Sequence, residues 1–168
     1  MLLTLIWILR VTNWLNWIVT AAFTALLVLL IVNPGEFRAD VLGRFGDPRI
    51  QHVVMTWLVA VCATVPPVAV AAHLILTRLT AMIRDTQKGE AFSKANAARL
   101  TLIAWALLAI NLIDLAYGQL STWASAESGE YFGWSPSLTG WLAVPLLLVL
   151  ARLFREGAAM RDDLAGTV

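Results

Sequence analysis

The run Leu100–Leu120, LTLIAWALLAINLIDLAYGQL, decides how this chain is read. At 1.5 Å per residue it covers roughly 30 Å as a helix, the thickness of a bilayer's hydrocarbon core. It holds one carboxylate, Asp114. An ionised carboxylate at such depth costs roughly 3 kcal/mol on insertion scales. Asp114 must therefore meet a partner helix, a watery cleft or a proton.

Three more apolar runs surround this one, at about 14–32, 53–76 and 138–154. Together with 100–120 they predict four membrane spans of about 17–24 residues each. The whole chain has 168 residues, is 60% apolar and has a mean hydropathy of +0.76. Its charged residues, 14% of the total, could not cover a water-soluble surface, and they cluster between the apolar runs. The first run has no small-residue cleavage site after Arg10 and reads as an uncleaved anchor. The expected fold is an all-α integral membrane four-helix bundle, a single antiparallel domain.

Basic residues set the orientation. Arg10, the connection 77–99 (Arg78, Arg84, Lys88, Lys94, Arg99) and the tail 155–168 with its approach (Arg152, Arg155, Arg161) place nine on one side. Only Arg38, Arg44 and Arg49 lie on the other. The positive-inside rule then puts both termini in the cytoplasm. Trp123, Trp134 and Trp141 fall near the outer interface, and Trp7 and Trp14 near the inner one, as an aromatic belt.

Punctuation within the chain is legible. Asn33-Pro34-Gly35 ends the first span, and Pro66-Pro67 predicts a kink in the second. Phe37, Val41 and Phe45 repeat every four residues, so a short amphipathic helix is expected on the outer surface, either sealing the bundle or acting as a lid. The second span continues as a helix through Arg84, with Leu79, Met82 and Ile83 on one face, and Lys88-Gly89 stops it. Ser93 is an N-cap for the next helix, with Phe92 in the staple position against Ala97 and Asn96 where a capping box has Glu or Gln.

Catalytic signatures are missing. There is no H-E-x-x-H, no nucleophile elbow and no phosphate loop. His52 and His73 fall at opposite ends of the second span and cannot share a metal. The lone Cys62 reads as a buried thiol. Glu127 and Glu130 in the second outer loop read as a solvated turn. No cofactor, metal or catalytic residue is assigned, and nothing reads as a DNA-binding module.

Two segments carry a resemblance. Gly89-Glu90-Ala91-Phe92-Ser93-Lys94-Ala95-Asn96-Ala97-Ala98-Arg99-Leu100 resembles a G-x-x-F-S-x-x-N-A-x-R-L pattern. Phe154 to Val168 resembles F-x-x-G-x-x-L-R-x-D-x-x-x-T-V, with Met160 in place of leucine. Both patterns are those of the YoaS-like bacterial membrane family, domain of unknown function 2975. The resemblance implies a four-helix inner-membrane protein without an established enzymatic activity. It also implies a cytosolic partner, because members are often encoded beside a helix-turn-helix regulator of the Xre type.

Two candidate sites follow. The first is a cytoplasmic docking surface of Leu79, Ile83, Phe92, Arg99, Phe154, Arg161 and Asp163. Gly157 and Ala158 would let another helix come close, while Asp162 and Asp163 near a helix C-terminus call for a basic partner, within the chain or outside it. The second is an intramembrane polar group, Asn111, Asp114 and Tyr117, with Asn111, Asp114 and Gly118 on one helix face. Asp114 lies in the outer half of its span, so Arg38, Arg44, Arg49 or His52 is its expected partner. Hydrogen bonding between helices and a protonatable ion or ligand site both remain open for it. A regulatory or interaction protein, a ligand or ion transporter and an accessory subunit of a membrane complex are the readings carried forward. Small residues such as Ala21 and Ala25, or Ala69 and Ala72, would also let a homo-oligomer pack.

Overall fold

The computed structural model describes the backbone of residues 2–165 and the side chains of residues 2–161. Five helices account for nearly all of it: α1 (Leu2–Val32), α2 (Pro34–Phe45), α3 (Pro48–Gln87), α4 (Lys94–Ser128) and α5 (Leu138–Ala165). There is no strand among the described residues. Helices α1, α3, α4 and α5 are each long and apolar enough to cross a membrane. The chain is an all-α membrane bundle, with α2 as the short fifth helix that the Phe37-Val41-Phe45 spacing predicts.

The helices overrun the apolar runs that announced them. α1 begins at Leu2 rather than near residue 14, α4 extends from Lys94 to Ser128, and α5 continues past Phe154 to Ala165. Hydropathy marks where hydrocarbon ends, whereas a helix ends where its backbone finds a cap. α3 starts after Asp47, whose carboxylate accepts from the Arg49 amide at 2.7 Å, with Pro48 in the first turn. It stops in a Schellman turn: the Glu90 amide donates to the Asp85 carbonyl at 2.9 Å, and the Gly89 amide to Thr86 at 3.1 Å. Gly89 takes φ +80, which only glycine adopts readily. Between those ends α3 runs unbroken through Pro66 and Pro67. Neither proline has an amide, so the carbonyls of Cys62 and Ala63 lose their helical donors.

Two compact units make up the chain. The first joins residues 1–16, 70–111 and 137–168, and so holds the start of α1, the α3–α4 connection and the end of α5. Its core is small and close-packed: Ile6, Ala71, Ala97, Leu100, Ile103, Ala104, Ala151 and Ala158 are buried. Antiparallel neighbours are visible here, since Asp85 near the end of α3 pairs with Arg99 near the start of α4. The second unit joins residues 17–69 and 112–136. Leu30, Met55 and Cys62 form its core, covered by Leu26, Leu27, Leu58 and Val59 and by Phe37 and Val41 of α2.

Along α1 the less exposed residues Ile6, Leu9, Asn13, Asn16 and Thr20 recur at a spacing of alternating three and four, and Leu27 and Leu30 follow one heptad after Thr20 and three residues beyond that. This is a narrow heptad seam. Trp7, Trp14, Ile18 and Val28 point away from it and are more than half exposed, as lipid-facing side chains would be.

Candidate functional site

The α3–α4 connection in the first unit carries most of the candidate docking residues. Ser93 caps α4, its hydroxyl accepting from the Asn96 amide at 3.2 Å. Asn96, 1% exposed, turns its side chain back over the connection. Its Nδ2 donates to the carbonyls of Glu90 at 3.2 Å and Ala91 at 3.0 Å. Its Oδ1 accepts from Arg99 Nη1 at 2.5 Å. The same guanidinium pairs with the Asp85 carboxylate. One asparagine thus ties the connection to α4, and one arginine ties α4 to α3.

Phe92 finds an aromatic partner on α5. It lies against the Phe154 ring, centroids 4.9 Å apart, over the end of that helix. Gly157 makes room for it: a Cβ there would stand 3.3 Å from Phe92 Cδ1. The two sequence patterns therefore meet in space, through Phe92 of one and Phe154 and Gly157 of the other.

Of the candidate contacts, Leu79, Ile83, Arg99 and Phe154 are half-buried. Phe92 remains 52% exposed despite its stacking, and Met160 is 64% exposed. Arg161 is exposed but already engaged within the chain. The Asp163 side chain, like that of Asp162, lies outside the described residues.

The intramembrane residues divide between the two units. In the first, Asn111 is 8% exposed and lies against Gly140, where any Cβ would collide with the Asn111 amide. Its Nδ2 is buried without an acceptor among the described residues. In the second, Asp114 and Tyr117 are half-buried. No hydrogen bond or ion pair reaches Asp114 among the described residues. Of the expected partners Arg38, Arg44, Arg49 and His52, Arg49 is committed elsewhere, because its Nη2 bonds Glu127 Oε2 at 2.6 Å. Glu127 sits in the last turn of α4 rather than in a turn outside it, which places it within reach.

Trp134 departs from the expected belt. Its indole lies on Gly118, leaving no space for a Cβ, and its Nε1–H is buried with no acceptor among the described residues. A mid-helix glycine on the face of Asp114 was the one sequence signal for this close approach. Trp57 is a second inward tryptophan, donating to Ser121 Oγ at 3.1 Å and packing on Phe132 at 4.8 Å between centroids. A cleft of about 600 Å³ lies nearby in this unit, lined in part by Arg38, Gln51, His52, Met55 and Thr56. The Gln51 amide on its wall donates to the Arg38 carbonyl at 2.8 Å, holding α2 to α3.

No group of three metal-ligating side chains occurs among the described residues. His73 instead shares a hydrogen bond with Asn13 at 2.9 Å.

These features define a multi-pass membrane protein with a side-chain-tied connection between α3 and α4. A family model described as a protein of unknown function (DUF2975) matches residues 46–168, and the chain belongs to that family. The match takes in α3, α4 and α5 and leaves α1 and α2 outside. Comparisons with curated proteins and with solved structures gave no match.

Proposed function

We propose that this is a non-enzymatic regulatory protein of the bacterial inner membrane, which docks a cytosolic partner on its α3–α4 connection and the end of α5. The partner class is a helix-turn-helix regulator of the Xre type. One observation carries the reading: apolar side chains stay exposed outside the apolar runs 100–120 and 138–154, Phe92 at 52% and Met160 at 64%. Lipid cannot easily cover residues beyond the hydrocarbon, whereas a protein can. Asn96 and Arg99 act in this reading as positioning residues that hold Phe92 in place. The test is retention of a co-expressed Xre-type regulator by the tagged chain. Cutting after Arg155 removes Met160 and should abolish retention, as should Phe92→Ala in the full chain. Retention unaffected by either change overturns the proposal.

A second reading places an ion or amphiphilic ligand at Asp114. Its support is a half-buried carboxylate without a donor among the described residues, near Gly118 on the same face, where Trp134 holds a buried donor without an acceptor among them. Intramembrane carboxylates are commonly functional. Asp114→Asn should then abolish ligand binding or proton-coupled flux. A change in melting temperature alone would make Asp114 interhelical glue.

A further inference from the structure

The inner ends of α1 and α3 enclose a basic cleft that neither reading uses. Two adjoining hollows, of about 510 and 240 Å³, share Arg10 and Arg84 as walls. The larger adds Lys88, with Leu3 and Trp7 on its apolar side. The smaller ends at Asn13. Among the described residues no carboxylate lines either hollow.

Its cations are unlike others in the same unit. Arg99 is paired with Asp85, and Arg152 with Glu156 at 2.9 Å. Among the described residues no carboxylate reaches Arg10 or Arg84. Asp85 follows Arg84 in sequence, but it points to Arg99. Two arginines from different helices thus line one hollow, with no carboxylate among the described residues to compensate their charge. Like charges repel, so such an arrangement favours an anion between them. Guanidinium forks match phosphate oxygens in geometry.

The position selects the kind of phosphate. Arg10 lies one turn before Trp14, where α1 leaves the hydrocarbon. Leu3 is 75% exposed and Trp7 66% exposed on the same helix. An apolar wall beside a cationic floor suits an amphiphile better than a free ion. We propose that this cleft binds the phosphate headgroup of an anionic phospholipid from the inner leaflet, with its upper acyl segment against Leu3 and Trp7.

The experiment titrates the detergent-solubilised full chain with phosphatidylglycerol, counting bound lipid by native mass spectrometry. Each basic group near a lipid surface contributes about fivefold to affinity, so R10Q/R84Q should bind on the order of 25-fold more weakly. R78Q/R155Q removes the same charge from exposed positions outside the cleft and should bind normally. Unchanged melting of both variants shows that the fold is intact. R10K/R84K keeps charge without the fork and should bind at an intermediate level, which tests the site even if the glutamine variant melts early. Phosphatidylcholine should not occupy the site. Equal weakening by both charge removals, or none by R10Q/R84Q, overturns the proposal. Displacement of the lipid by equimolar inorganic phosphate assigns the cleft to a soluble anion and overturns the lipid assignment.

Discussion

Asn96→Ala should open the α3–α4 connection without unfolding the spans. The asparagine side chain makes two hydrogen bonds to loop carbonyls, Glu90 and Ala91, and accepts one from Arg99. Two neutral bonds are worth about 1 kcal/mol each, and one to a charged group about 1.5–3 kcal/mol. Much of the charged bond is recoverable, since Arg99 keeps Asp85. Glu90 is exposed, so its carbonyl regains water. The net loss is then about 2 kcal/mol, or roughly a 30-fold larger open population. Trypsin reports it directly, because Lys88 and Lys94 flank the tied segment and proteolysis follows the open population when reclosing is fast. Cleavage at both lysines should accelerate about 30-fold in Asn96→Ala. Asn96→Asp keeps the acceptor for Arg99 but loses both donors, so it should open the loop nearly as much. The reasoning fails if Asn96→Ala is cut at the wild-type rate. It fails in part if Asn96→Asp resists trypsin as the wild type does, which would put the whole effect in the Arg99 contact.

Gly118→Ala should lower the melting temperature, because overpacking against Trp134 costs about 1–3 kcal/mol while the helix gains only about 1. A higher melting temperature would contradict the packing of that indole. Cys62, 0% exposed, should react with maleimide only after denaturation, and rapid labelling in mild detergent would show that the core around Leu30 and Met55 opens. A double-mutant cycle of Phe92→Ala and Phe154→Ala should give a coupling of about 0.5–1.5 kcal/mol, and additive effects would mean that the rings do not interact. Glu127→Gln should change stability by less than about 1 kcal/mol, because its partner Arg49 is 74% exposed.

What could be read from sequence was whatever depends on local chemistry. Apolar length gave the four spans. Phe37-Val41-Phe45 gave α2, Lys88-Gly89 the end of α3, and Ser93 the cap of α4. Helix ends outside the lipid were less legible. Ser121–Ser128 is too polar for hydrocarbon, yet it continues α4 without a stop signal until Gly129. Pairings across helices were not legible, since they depend on the rotation of each helix about its axis. That is why Asp114 is matched only to a set of outer-loop residues, Arg38, Arg44, Arg49 or His52, of which Arg49 bonds Glu127, and why Trp134 is assigned to the belt rather than to Gly118. Asn96 drew notice only as an imperfect capping-box residue. Its part in holding two carbonyls follows from the path of the chain before the cap, which a spacing rule does not describe.

The paired prolines of α3 have a mechanical meaning. A rod held by its ladder of amides resists bending equally along its length. Here two neighbouring rungs are missing by covalent necessity, opposite the carbonyls of Cys62 and Ala63. Stiffness therefore drops at one level of the longest helix, and any tilt that lipid or ligand imposes on an end of α3 is absorbed at that joint first.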